Sequence, residues 1–208
     1  MHKLNLEKKL FKQGHHYIAG VDEVGRGPLA GPVVSACVLV DINFLENINN
    51  LKELNDSKKT SLKNREKIFS MIQDNAVSVG IGVCSPKTID KINILQASLL
   101  SSKKAVLNLS HEADIVLMDG KFKIPDLNID QENIIQGDAK VAVIALASII
   151  AKVYRDKLMT KLNKKYPGYD FEKNKGYGTA YHRKKIKELG PCKIHRYSFA
   201  PIKNMYNN

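Results

Sequence analysis

The sequence predicts an α/β fold, a mixed β-sheet flanked by helices with a mainly helical C-terminal extension, and three observations carry that expectation. Short β-branched runs alternate with segments of helical period along most of the 208 residues. The first two runs, 17–21 and 33–40, are joined only by a Gly- and Pro-rich turn, which demands an antiparallel pair in the sheet. Beyond Pro167 the composition shifts to Gly, Tyr, Lys and His, so residues 1–166 are expected to form the core and 167–208 the extension.

The remaining elements follow in order. Residues 77–84 read as a third strand. Residues 60–73 carry Leu62, Ile68, Phe69 and Ile72 at helical spacing, with Asp56 and Ser57 ahead of them as loop or capping residues. The pattern repeats over 94–109 through Leu95, Leu99, Leu100, Val106 and Leu107. Residues 115–118 form a short buried strand ending at Asp119-Gly120, and 133–136 form another ending at Gly137-Asp138. The longest predicted helix, 139–162, is apolar almost all round in its first half and is therefore central. In the extension, 182–189 is the clearest helix.

Composition bounds the class of protein. Hydrophobic content of 43% and charged content of 26% are ordinary for a soluble globular chain. The longest mainly apolar run, 141–151, falls well short of the ~20 residues that span a bilayer, and the first residues lack a signal-peptide core, so a cytoplasmic protein is expected, monomeric by default. The three cysteines form no C-x-x-C pair; Cys37 and Cys84 sit in apolar strand-like runs and read as buried free thiols. Cys192 and His195 make a C-x-x-H pair with no second pair nearby, which argues against zinc. His15 and His16 read as surface residues.

The net charge of +12 is unevenly placed. Residues 1–137 hold 17 Lys and Arg against 16 Asp and Glu, whereas residues 138–208 hold 16 against 5. A basic last third fits a polyanion-binding face, because each cation that neutralises a phosphate releases condensed counterions; a solvated basic helix is the plainer alternative.

Within this basic chain, acids stand at strand ends. Asp22 and Glu23 close the first strand, Asp119 closes a later one and Asp138 follows the next, and such positions can converge in one crevice. Converging carboxylates repel unless their pKa values rise or a cation neutralises them. Hard ions such as Mg²⁺ suit oxygen-only sites completed by water and phosphate. Taken singly, Asp119 before a glycine reads as a turn residue, and Asp138 before a helix reads as an N-cap. Neighbours on a regular strand also point to opposite faces, so Asp22 and Glu23 are expected to share a site only if the strand ends or bulges at Glu23. Gly25-Arg26-Gly27 follows at once, with glycines for close backbone approach and an arginine for phosphate.

These residues carry a resemblance. GVDEVGRGPLAGPV (20–33) is similar to the signature of ribonuclease HII, and DSKK (56–59), MDG (118–120), ASIIAKVYRD (147–156), KGYGTAYH (175–182) and HRYSFAP (195–201) resemble further blocks of that family in the same order. The resemblance implies an RNase H-like fold, hydrolysis of the RNA strand of RNA–DNA hybrids, and incision 5′ of ribonucleotides embedded in DNA, leaving 5′-phosphate and 3′-hydroxyl ends. It also implies that Asp22, Glu23, Asp119 and Asp138 are catalytic metal ligands for Mg²⁺ or Mn²⁺, two ions when substrate is bound. Gly25, Arg26 and Gly27 match the turn that reads the 2′-hydroxyl, and Tyr177 matches the tyrosine that packs on the neighbouring sugar. Asn174 stands where the family commonly has histidine. Lys58, Lys59, Arg183 and Lys184 are expected to contact phosphate, and Ser148 to hydrogen-bond near the acids. Two rival functions remain at this point: a nuclease of the same fold with no preference for ribose, and a hybrid-binding module without catalysis.

Overall fold

The strand β2 (Val33–Val40), VVSACVLV, is buried at every position, as a central strand covered on both faces requires. It pairs antiparallel with β1 (Ile18–Val24) on one side and with β3 (Ser78–Cys84) on the other. Strand β4 (Ile115–Asp119) runs parallel to β1, and β5 (Asp130–Ile134) runs parallel to β4. The result is a mixed five-stranded sheet in the order β3-β2-β1-β4-β5. The computed structural model describes residues 4–44 and 62–206, so the expectations at Asp56, Ser57, Lys58, Lys59 and Thr60 lie outside the described residues.

Helices cover both faces. On one side α1 (Asn5–Lys12), α2 (Leu62–Asn75) and the long α5 (Ala142–Lys165) pack Leu10, Ile68, Ile72, Val143, Ala147 and Ile150 onto Ile18, Val38 and Leu117 of the sheet. Gly20 lets α5 approach β1 closely, because a Cβ there would run into the Val143 carbonyl. On the other side α3 (Pro86–Leu107) covers Val21, Cys37, Leu39 and Met118. Cys37 and Cys84 are buried free thiols, as expected.

Several boundaries differ from the sequence expectation. β1 continues past Val21 and takes Asp22, Glu23 and Val24 into the ladder opposite Ala36, Ser35 and Val34. β5 covers 130–134 rather than 133–136; as an edge strand with the polar sequence DQENI it lacks the apolar signature of its neighbours. The helix expected over 139–162 is two helices, α4 (Gly137–Lys140) and α5, separated by Val141 in extended conformation. Buried Glu7 of α1 accepts the Val143 N–H at 3.2 Å and satisfies one of the orphan donors at the start of α5. The helix expected from residue 94 begins at Pro86, where Ser85 Oγ accepts the Thr88 N–H at 3.2 Å. Asn93 (φ 64°) interrupts it and re-caps the second part by accepting the Gln96 N–H at 3.1 Å.

The chain beyond Pro167 folds into α6 (Phe171–Asn174), α7 (Ala180–Leu189) and α8 (Ile202–Tyr206). Tyr169, Phe171, Ile186 and Ile202 pack with Met159 of α5 and with Leu29 and Ala30 of the β1–β2 turn. That packing seats the C-terminal segment against the Gly-Arg-Gly turn.

Candidate active site

The acids gather where β1 and β4 end side by side. The parallel register pairs Val21 with Met118, which brings Asp119 level with Asp22 at the next position. The β1–β2 ladder runs unbroken through Asp22 and Glu23 to Val24, so neither a strand end nor a bulge falls at Glu23. Adjacent strand residues point to opposite faces. Asp22 accordingly meets Ser148 of α5, whereas Glu23 is turned toward Ser98 of α3. Asp119, level with Asp22 on the same face by register, acts electrostatically on both carboxylates.

Burial dominates their electrostatics. Asp22 is 7% exposed, and its carboxyl is pushed up to about 8 by burial, with the charges of Glu23 and Asp119 adding to the shift. The Ser148 hydroxyl and the Glu23 N–H, 2.8 Å from Asp22 Oδ1, pull partly the other way. Glu23 is also raised by burial and by Asp119, against the hydrogen bond and charge of Arg26, whose Nη1 lies 3.0 Å from Oε1. Asp119 Oδ1 accepts the Gly137 N–H at 2.8 Å and so ties the end of β4 to α4. Asp138 is the next residue, in the first turn of that helix.

Among the described residues, no three His, Cys, Asp or Glu side chains converge into a group that could hold an ion unaided. Asp22, Glu23 and Asp119 thus share a field rather than a coordination sphere. The donor set still fits a hard divalent cation. It offers carboxylate oxygens without imidazole or thiolate, leaving positions for water and phosphate, and a cation would relieve the raised pKa of Asp22.

Beside the acids lies the Gly-Arg-Gly turn. Gly25 adopts φ +94°, and a Cβ there would strike the Arg155 side chain and the Pro32 carbonyl. Gly27 faces open space, its nearest neighbour being the Tyr177 ring, with Cε1 3.8 Å from where a Cβ would sit. Tyr177, 44% exposed, therefore stands over the turn as one wall of a shared surface. Arg183 and Lys184 are exposed on α7, with the Arg183 guanidinium next to Gly178 and Lys184 3.8 Å from Glu188. Asn174 uses both ends of its amide inside the loop: Nδ2 donates to the Tyr169 carbonyl at 2.6 Å and Oδ1 accepts the Gly176 N–H at 2.8 Å.

Two residues that sequence reasoning left without a role hold this surface together. Arg155 and Arg196 are fully buried, and neither is ion-paired among the described residues. Arg155 donates to the carbonyls of Pro32 and Lys175, each at 3.0 Å, and of Ala30 at 3.3 Å. Arg196 donates to the carbonyls of Arg26 at 2.8 Å, Gly31 at 3.0 Å and Gly25. Both occur in blocks quoted above, VYRD and HRYSF. A lone arginine in such a block carries no mark of burial, so only its place in the block could have drawn attention to it.

Comparison with known proteins agrees with this fold. The family described as Ribonuclease HII matches the chain over residues 19–202. The chain is 50% identical over 193 residues to a ribonuclease HII of Acetivibrio thermocellus, covering 93% of this chain and 73% of that protein. It is 48% identical over 200 residues to a ribonuclease HII of Caldicellulosiruptor saccharolyticus, covering 96% and 94%. Among solved structures, the ribonuclease H2 of Pyrococcus horikoshii superposes with a TM-score of 0.75 at 26% identity, covering 92% of this chain and 97% of that one.

Proposed function

The chain belongs to the ribonuclease HII family, and on that premise we propose that it hydrolyses the RNA strand of RNA–DNA hybrids and nicks duplex DNA 5′ of embedded ribonucleotides. Asp22, Glu23, Asp119 and Asp138 would hold the divalent cations, Mg²⁺ or Mn²⁺, with water and substrate phosphate completing the coordination. When bound, such ions activate the attacking water and neutralise charge on the leaving oxygen.

The chain's own residues supply position and selectivity. Asp22 and Glu23 approach the reacting phosphate from the two faces of the sheet, with Asp119 beside Asp22. Ser148 orients Asp22, and Arg26 orients Glu23. Phosphate contacts cannot tell RNA from DNA; the 2′-hydroxyl can. Backbone groups at Gly25, Arg26 and Gly27 hydrogen-bond that hydroxyl, reached across the open face of Gly27, while the Tyr177 ring packs against the neighbouring sugar. Lys58, Lys59, Arg183 and Lys184 hold the backbone of the duplex.

The observation that carries this reading is the open face of Gly27, bordered by the Tyr177 ring 3.8 Å from where a Cβ would sit, next to the buried acids, because it sets a device able to feel a ribose beside groups able to bind cations. The test is digestion of an RNA–DNA hybrid and of an all-DNA duplex of the same sequence, followed by analysis of the new ends. Hybrid-only cleavage leaving 5′-phosphate and 3′-hydroxyl supports the reading. Equal cleavage of both duplexes, or 2′,3′-cyclic phosphate ends, contradicts it.

A further inference from the structure

Beneath Tyr177 lie two histidines, both buried, whose hydrogen bonds admit one assignment of protons. The Cys192 backbone N–H points at His195 Nδ1 from 2.9 Å. A backbone amide can only donate, so Nδ1 accepts and the proton of a neutral His195 sits on Nε2. The alternatives, His195 Nδ1–H donating to the Cys192 carbonyl at 3.3 Å or to Cys192 Sγ at 3.2 Å, would set that proton against the amide proton. His195 Nε2 faces His182 Nε2 at 3.1 Å, so the second nitrogen accepts. His182 must then carry its proton on Nδ1, which lies 2.8 Å from the Tyr177 carbonyl oxygen. The chain of donation runs one way, from Cys192 through both rings to Tyr177.

We propose that His182 and His195 are positioning residues, a neutral and directed relay that fixes Tyr177 over Gly27 and thereby sets discrimination between ribose and deoxyribose. The proposal rests on the reading of Tyr177 as the residue that packs on the sugar. The surroundings favour neutral rings. Tyr169 packs against His195 with centroids 4.9 Å apart, and Phe171 against His182 at 5.3 Å. The titratable groups facing the pair are Tyr169 from the segment before α6, Cys192 from the loop after α7, and Tyr177. The neighbouring Arg196 sends its guanidinium to backbone carbonyls of the Gly-Arg-Gly turn. Among the described residues no carboxylate shifts either ring; burial lowers both, and His195 is brought to about 4 with the help of His182. A proton added to either ring sets N–H against N–H and breaks the relay.

Two measurements test this. Long-range ¹H–¹⁵N NMR of histidine-labelled protein at neutral pH is expected to show His195 protonated at Nε2 and His182 at Nδ1; the reverse tautomers, or a charged ring, overturn the proposal without reference to any substituted protein. The second measures kcat/KM on a duplex with one ribonucleotide, divided by kcat/KM on a uniform RNA–DNA hybrid. His182→Phe, which keeps the packing but loses the donor, is expected to lower that ratio by about tenfold or more, with Mn²⁺ affinity of the free enzyme unchanged. His182→Asn, whose amide N–H stands in for Nδ1–H, is expected to restore it to within about threefold of the parent. If Tyr177→Ala lowers the ratio and His182→Phe does not, the relay is refuted while the role of Tyr177 stands. If Tyr177→Ala leaves the ratio unchanged, the role of Tyr177 fails and the relay's effect on selectivity fails with it.

Discussion

The guanidinium of Arg196 donates to the carbonyl of Arg26 at 2.8 Å, joining the C-terminal segment to the Gly-Arg-Gly turn across 170 residues of sequence. A charged donor that serves backbone carbonyls instead of a carboxylate gives a hydrogen-bond strength that a neutral residue does not reach. Arg196→Met would leave the Gly25, Arg26 and Gly31 carbonyls without that donor, at about 1–3 kcal/mol for each one left unsatisfied. Urea denaturation is therefore expected to show a loss of about 3 kcal/mol or more, with Arg196→Lys intermediate. A loss under about 1 kcal/mol would mean that water replaces the guanidinium freely.

Asp22 sets stability against function. Burial pushes its carboxyl up to about 8 from the ordinary 3.8, so the folded state holds a proton that the unfolded chain releases. The metal-free protein should therefore lose stability as pH rises from about 4 to 8, by at most about 1.4 kcal/mol per pH unit from this group. Asp22→Asn removes that penalty. Thermal melts without divalent ions should show the variant at least as stable as the parent at pH 8, while cleavage falls to background. A variant that melts lower at pH 8 would show that the carboxyl is not strained by burial.

The two glycines of the turn should separate folding from catalysis. Gly25→Ala forces a side chain into positive φ, at about 1–2 kcal/mol, and drives its Cβ into Arg155 and the Pro32 carbonyl. Gly27→Ala meets nothing closer than the Tyr177 ring at 3.8 Å. Denaturation should accordingly show Gly25→Ala strongly destabilised and Gly27→Ala within about 0.5 kcal/mol of the parent. Cleavage by Gly27→Ala should still drop, because its methyl group occupies the face where a 2′-hydroxyl approaches. Full activity in Gly27→Ala would remove that face from the site.

Asn174 is expected to act through the loop. Asn174→Ala loses a donor to Tyr169 and an acceptor for the Gly176 N–H, so hydrogen exchange at Gly176 and Tyr177 should quicken by about tenfold, at about 1 kcal/mol for a lost bond. Unchanged exchange would show that Arg155, through the Lys175 carbonyl, holds the loop alone.

Sequence alone revealed the sheet's central strands because their burial is written in their composition; β2 is apolar except for Ser35. It misplaced β5, whose edge position needs no apolar face, and it left α1 unassigned. It also ran one helix through Val141, since an apolar, β-branched residue looks the same in a helix and at a break. The gathering of Asp22, Glu23 and Asp119 was legible as acids at two strand ends. That Asp119 stands level with Asp22 was not, because it depends on the parallel register of β1 and β4. Arg155, Arg196 and the His182–His195 pair stayed hidden for a related reason: the arginines' partners, and the outer partners of the histidine pair, are backbone atoms, which a sequence does not distinguish.

The most direct test is incubation of the protein with a DNA duplex holding one ribonucleotide, with and without Mg²⁺ or Mn²⁺, and mapping of the nick to a single nucleotide. Coupled acids next to a ribose-reading turn predict one cation-dependent nick on the 5′ side of the ribonucleotide, lost in Asp22→Asn. Nicking in the presence of a chelator, or at positions unrelated to the ribose, would contradict it.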